Sequence, residues 1–222
     1  MGPMTLVIGN RNYSSWSLRA WLVMRMAGLA FDEVVIPLDE PDTRRLILEH
    51  SPAGRVPVLR HGDITIWDSL AICEYVAERV PGARLWPETV AARAEARSIS
   101  AEMHAGFAAL RETLPMNVRA DRPGVALGSD VEADIERILA IWRTCRRRFA
   151  ANGPFLFGRF SIADAMYAPV ASRFTTYRVP MGSIEREYAG TVLGLPAMRE
   201  WAAAAADEPW VIAAEEVGEE AG

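Results

Sequence analysis

Every convincing β-prone run in this 222-residue chain falls before Asp68, and beyond Trp86-Pro87 the sequence offers only helix. That asymmetry restricts the fold more than any single motif. A chain whose strands are confined to one end and whose other end is rich in Ala, Glu and Arg forms an α/β unit followed by an all-helical one. Thr5-Leu6-Val7-Ile8 is a short apolar run closed by Gly9-Asn10, after which the period changes to a helical one with Leu18, Leu22, Met26 and Leu29 on one face. Gly28 ends that helix, and Glu33-Val34-Val35-Ile36-Pro37 reads as a second strand, parallel to the first. A polar stretch from Asp39 to Ser51 leads to Val56-Pro57-Val58-Leu59, a tight turn at His61-Gly62-Asp63, and Ile64-Thr65-Ile66. From Ser69 a helix carries Ile72, Cys73, Val76 and Val80 inward until Pro81-Gly82 stops it. The order is βαβαββα over residues 1–81, with 82–90 as linker and 91–222 as a helical domain.

In the helical part, Ile135, Ile138, Leu139, Trp142, Cys145 and Phe149 form an inward stripe, with acids at its start and Arg146-Arg147-Arg148 at its end, complementing the helix dipole. Ser161-Ile162-Ala163-Asp164 has capping-box spacing and opens a helix through about Arg173, and Pro196 begins a last one to about Ala206. The acidic segment from Glu215 to Gly222 is expected to be disordered.

Charge and cysteine count narrow the function. A net charge of −5 argues against a nucleic-acid partner. Cys73 and Cys145 cannot form a disulfide framework or a zinc cage, so no metal is expected and a reducing cytoplasm fits. No basic stretch precedes an apolar run at the N-terminus, and the most apolar segment, from Ala20 to Phe31, is interrupted by Arg25 and too short to span a bilayer.

Three places can carry chemistry. Asn12-Tyr13-Ser14-Ser15-Trp16-Ser17 joins the first strand to the N-terminus of the first helix, where unpaired N–H groups favour an anion. One serine suffices for a cap, and three in four residues exceed that need. Val56-Pro57 enters a strand after a loop, as an edge residue or as a cis peptide; if cis, the Val56 backbone can pair with a peptide-like ligand. At Trp67-Asp68-Ser69, Ser69 reads as the cap of the following helix, with Asp68 beside it able to meet an amino group.

These segments, in this order and spacing, resemble the thioredoxin-like N-terminal domain of the glutathione transferases. Leu85-Trp86-Pro87 and Phe155-Leu156-Phe157-Gly158 running into Ser161-Ile162-Ala163-Asp164-Ala165 resemble that family's helical C-terminal domain, so nearly the whole chain is covered. The loop Ser14-Ser15-Trp16-Ser17-Leu18-Arg19 is similar to the Ser-Ser-Cys-x-x-Arg loop of the zeta class, with Trp16 where that class has Cys. The bulk of an indole beside the sulfur weighs against the class's maleylacetoacetate isomerisation. A loop without cysteine also leaves no enzyme thiol for exchange.

The resemblance implies glutathione as cosubstrate and a homodimer. Ser14 would donate to the glutathione sulfur, with Ser15 and Ser17 as fallbacks. Val56, before Pro57, would pair with the cysteinyl unit, Asp68 and Ser69 would hold the γ-glutamyl end, and Arg55 would reach the glycyl carboxylate. A small hydrophobic electrophile would lie between this loop and the first helix of the C-terminal domain, against Met103, His104, Phe107 and Arg111. Met103, Phe107 and Leu110, at i, i+4 and i+7, read equally as core. The implied activity is thiolate attack on the electrophile. Alternatives are a non-catalytic binding or regulatory module of the same fold, or a zeta-like isomerase, peroxidase or dehalogenase. A thiol of pKa about 8.5 is only about 3% ionised at pH 7, and lowering it two units takes about 2.7 kcal/mol. One hydrogen bond to the charged sulfur, at about 1.5–3 kcal/mol, and a helix N-terminus suffice.

Overall fold

The computed structural model describes residues 2–218. The first half builds the order βαβαββα: β1 (Met4–Ile8), α1 (Ser15–Met26), β2 (Asp32–Val35), α2 (Thr43–Leu48), β3 (Val58–His61), β4 (Ile64–Trp67) and α3 (Ser69–Arg79). The sheet order is β2-β1-β3-β4, with β1 parallel to β2 and antiparallel to β3. Central β1 is apolar on both faces because both are covered. Leu6 and Ile8 join the core beneath the helices, while Val7 packs on the opposite side with Ile36, Ile47 and Val58. Gly62, at φ +58°, supplies the left-handed residue of the two-residue β3–β4 turn, where His61 pairs with Ile64.

A 3-10 turn over Pro81–Ala83 and a short loop lead to α4 (Val90–Ala105), α5 (Ala108–Thr113), α6 (Ser129–Phe149), α7 (Ile162–Thr176), α8 (Ser183–Leu193) and α9 (Pro196–Ala206). One continuous core runs from Leu6 and Leu18 through Trp142 and Tyr167 to Trp201, so the two halves share their interior. Helix α7 is central: every residue but Thr175 is buried, and Trp142 packs its ring against Tyr167, Phe174 and Tyr188. The capping box forms as the spacing requires. Buried Asp164 accepts from Leu156 N (3.0 Å), Ser161 N (2.8 Å), Ser161 Oγ (3.0 Å) and Tyr188 Oη (3.2 Å), and desolvation raises its pKa to about 6.

Four expectations change. The helix read through Met103 to Arg111 breaks at Gly106-Phe107: a Cβ at Gly106 would lie 2.9 Å from Glu102 O, and Phe107 sits at φ +59°. Helix α8 carries Tyr188, Ala189 and Val192 inward, a face the reading above passed over. Arg146 is buried, and its guanidinium holds Gly153 O (2.8 Å) and Phe155 O, so it anchors the following loop as well as complementing the dipole. The C-terminal segment is ordered to Gly218. A 3-10 turn covers Ala213–Glu215, and Glu216 accepts from Tyr13 Oη, Asn117 Nδ2 (2.9 Å) and Arg122 Nη2 (2.7 Å). Three donors around one carboxylate hold what composition alone marks as tail. The rest of that expectation, residues 219–222, lies outside the described residues. Among the described residues no helix is long and apolar enough to cross a membrane, and no His, Cys, Asp and Glu cluster suits a metal.

Candidate active site

Two cavities meet at Trp16, Arg55 and Val56, which line both. The larger, about 750 Å³, also has Pro57, Trp67, Asp68, Ser69 and His104 in its walls. The smaller, about 450 Å³, adds Tyr13, Ser14, Ser15, Asp39, Arg111, Arg173 and Glu215. A third cavity, about 410 Å³, is walled by linker residues such as Arg84 and Trp86 and shares no residue with these two.

The Val56-Pro57 peptide is cis, which decides between the two readings left open above, and both residues border the larger cavity. At the N-terminus of α3 the capping role falls to Asp68, not Ser69. Asp68, at φ +77°, accepts from Leu70 N (2.9 Å) and Ala71 N (3.1 Å) through Oδ1. Its other oxygen meets His104 Nε2 at 3.0 Å, joining the helical half to the sheet half. Because Asp68 caps, the Ser69 hydroxyl is left buried without a partner on the cavity wall. An orphaned hydroxyl beside a helix N-terminus is a carboxylate-sized receptor.

At the N-terminus of α1, Ser14 is the cap. Its Oγ accepts from Ser17 N (3.4 Å) and lies 2.7 Å from Ser17 Oγ, which also accepts from Gly9 N (3.1 Å). Ser17 is wholly interior and lines neither cavity, so this fallback lies away from any sulfur there. Ser14 and Ser15 both border the smaller cavity. The Ser15 Oγ accepts from Arg173 Nη2 at 3.3 Å.

The proposed electrophile contacts separate. Met103 and Phe107 belong to the core and line neither cavity, because the break at Gly106 turns Phe107 inward with Leu110. His104 borders the larger cavity and Arg111 the smaller. The Trp16 indole lies against the guanidinium groups of Arg19 (4.4 Å) and Arg111 (4.9 Å) and meets the His104 ring edge-on at 5.2 Å. Sequence reasoning missed Arg173 and Glu215. Buried Arg173 has a pKa lowered to about 10 by desolvation and by Arg111, and half-buried Glu215 is raised by desolvation. Cys73 and Cys145 sit in the core, where burial pushes both thiols up, Cys145 to about 12.

Comparison with known proteins agrees with this geometry. The family model described as glutathione S-transferase, N-terminal domain, matches residues 13–79, and that of the C-terminal domain matches residues 91–204. Among curated relatives, Protein IN2-1 of Zea mays is 26% identical over 74% of this chain and 63% of its own length. Glutathione S-transferase 4 of Zea mays is 29% identical over 82% and 79% respectively. The chain spans under two thirds of the first relatives it matches. Among solved structures, a glutathione transferase homolog from Burkholderia gl BGR1 with bound glutathione superposes with a TM-score of 0.71, covering 92% of this chain and 98% of the other at 24% identity. The Tau class glutathione S-transferase of mango gives 0.70 at 18% identity, covering 90% and 92%. Two family models that together take in the cis-proline strand, both helix N-termini and the helical half are matched in the order in which the fold assembles them, and the chain belongs to the glutathione S-transferase family.

Proposed function

We propose that the protein is a glutathione transferase that binds glutathione extended across the two cavities and uses its thiolate against a small hydrophobic electrophile. The observation that carries this reading is the buried, partnerless Ser69 hydroxyl at the N-terminus of α3, facing the same cavity as the Asp68 carboxylate. The γ-glutamyl end of glutathione has a carboxylate for the first and an ammonium for the second. The cysteinyl unit then runs along Val56 before Pro57, and Arg55 meets the glycyl carboxylate. The sulfur falls where the cavities meet, under the N-terminus of α1, whose N–H groups and serine hydroxyls favour its ionised form.

The thiol proton leaves to water. The thiolate pair forms a bond to the electrophilic carbon, and with an aryl halide the carbon–halogen bond breaks and halide departs. Trp16, Arg111 and Arg173 border the space on the far side of the sulfur. No charged group of the enzyme has to be consumed. A net charge of −5 fits a protein with no nucleic-acid partner, and two free, buried cysteines fit a reducing cytoplasm. The homodimer that the resemblance implies has support from edge strand β4, which exposes Ile64 and Trp67.

Titration calorimetry with millimolar glutathione is expected to give saturable heat, weakened in Ser69→Ala, and a chloronitrobenzene assay is expected to show conjugate formation. Absence of heat overturns the reading. Heat without conjugation of any electrophile in a broad panel assigns the chain to the non-catalytic alternative.

A further inference from the structure

A hydroxyl has one hydrogen, and the surroundings of Ser14 and Ser15 direct those hydrogens differently. Ser14 sits inside a neutral cap: it accepts from Ser17 N and donates to Ser17 Oγ at 2.7 Å. Ser15 Oγ accepts at 3.3 Å from Arg173 Nη2, and a guanidinium is a donor only. Among the described residues no acceptor meets the Ser15 hydrogen, which is left for whatever occupies the cavity that Ser15 and Arg173 share.

Arg173 is held for this task. Its Nε donates to Leu114 O at 2.8 Å, which fixes the plane of the guanidinium, and its Nη1 is buried without a partner. The charged groups around it and its cavity are Arg19 from α1, Arg111 from α5 and Arg55, with the carboxylates of Glu215, of Asp39 and of Asp134, which acts on Arg111. Four cations, Arg173 included, against three carboxylates leave a positive surplus of one where an anion would sit. A hydroxyl that accepts from a cation is a stronger donor than one accepting from a neutral N–H.

Taking glutathione as the ligand, as proposed above, we propose that Ser15 rather than Ser14 is the hydroxyl that meets the sulfur, with Arg173 as the positioning residue that turns its hydrogen into the cavity and strengthens it as a donor. The helical domain thereby contributes to thiol ionisation through a residue that the loop motif does not contain.

The test is ultraviolet thiolate absorbance of bound glutathione against pH, after calorimetry has shown that each variant binds. Ser15→Ala and Arg173→Met are expected to raise the midpoint by about one pH unit, a tenfold loss of thiolate below it. Ser14→Ala is expected to shift the midpoint less than Ser15→Ala while lowering thermal stability through the lost cap. In the Ser15→Ala background, Arg173→Met is expected to add less than it does alone. Arg173→Lys keeps a cation that reaches one of the two acceptors; it is expected to move the midpoint partway and serves where Arg173→Met does not fold. A larger shift for Ser14→Ala than for Ser15→Ala, full additivity, or wild-type midpoints for the Arg173 variants overturns the assignment. Absence of binding by the wild type instead defeats the glutathione reading itself.

Discussion

Asp68→Asn separates the two tasks of one carboxylate. Oδ1 caps α3 by accepting from Leu70 N and Ala71 N, and Oδ2 faces His104 and the cavity that Ser69 also lines. Asparagine caps a helix about as well as aspartate, so folding stability is expected to change by under about 1 kcal/mol. The charge presented to an incoming ammonium is lost. A hydrogen bond between charged groups is worth about 1.5–3 kcal/mol, but the Asp68 side chain is 42% exposed and shares its outer oxygen with His104, so solvent and competition reduce the contribution to about 1 kcal/mol. That corresponds to about fivefold in Kd. The assay is calorimetry with glutathione and with its analogue lacking the α-amino group. Wild type is expected to prefer glutathione by about fivefold, Asp68→Asn to bind both alike, and urea midpoints to coincide. If the variant keeps the full preference, the ammonium does not meet Asp68 and the direction assigned to the tripeptide is wrong.

Asp164→Asn puts an amide nitrogen or a single oxygen where two oxygens accept four hydrogen bonds, and is expected to cost about 2–4 kcal/mol in urea unfolding. Since burial raises Asp164 to about 6, the folded state binds the extra proton between about pH 4 and 6; the wild type is expected to lose stability as pH rises through that window, and the variant to lack this component. Cys73 and Cys145, both buried and pushed up in pKa, are expected to be silent toward an aromatic disulfide reagent in the native protein at pH 8, both reacting once it is unfolded. Glu216→Ala removes the acceptor shared by Tyr13, Asn117 and Arg122, and limited proteolysis is expected to cut the segment after α9 faster than in the wild type.

The sheet half was readable because its signals are local. β1 announces itself by an apolar run without alternation, α1 by the change of period after Gly9-Asn10, and the β3–β4 hairpin by Gly62. The capping box at Ser161 was readable for the same reason, since its donors and acceptors lie within four residues. The break between α4 and α5 was not. Met103, Phe107 and Leu110 keep helical spacing, yet Gly106 and a left-handed Phe107 redirect the chain so that all three still reach the core. Spacing reports which residues are inward; it does not report that one helix carries them. The choice of cap at α3 failed more finely: Asp68 and Ser69 are both good caps, and only the position of the first turn tells which hydroxyl or carboxylate is spent there and which is left for a ligand.

The cation cluster lay beyond local reading, although one trace of it is in the sequence. A helix buried on every side has no polar face on which an arginine can rest, and α7 carries Arg173 between Ala171 and Phe174 with only Thr175 exposed. Such a charge needs acceptors or an anion. Leu114 O takes its Nε and Ser15 Oγ one of its Nη2 hydrogens, while Nη1 is buried without a partner in a residue that borders a cavity. Arg19, on α1, repeats the pattern: wholly buried, it spends Nε on Met166 O, rests its plane on Trp16, and leaves both terminal nitrogens without partners. Two such residues reach one loop from opposite domains, desolvation lowers the pKa of both, and an anion in the cavity that Arg173 lines would favour the charged form. If glutathione binds as proposed, its thiolate at the N-terminus of α1 is a charge of that sign in the cavity that Arg173 borders, and the cost of burying that arginine and the acidity of the bound thiol then share one physical origin.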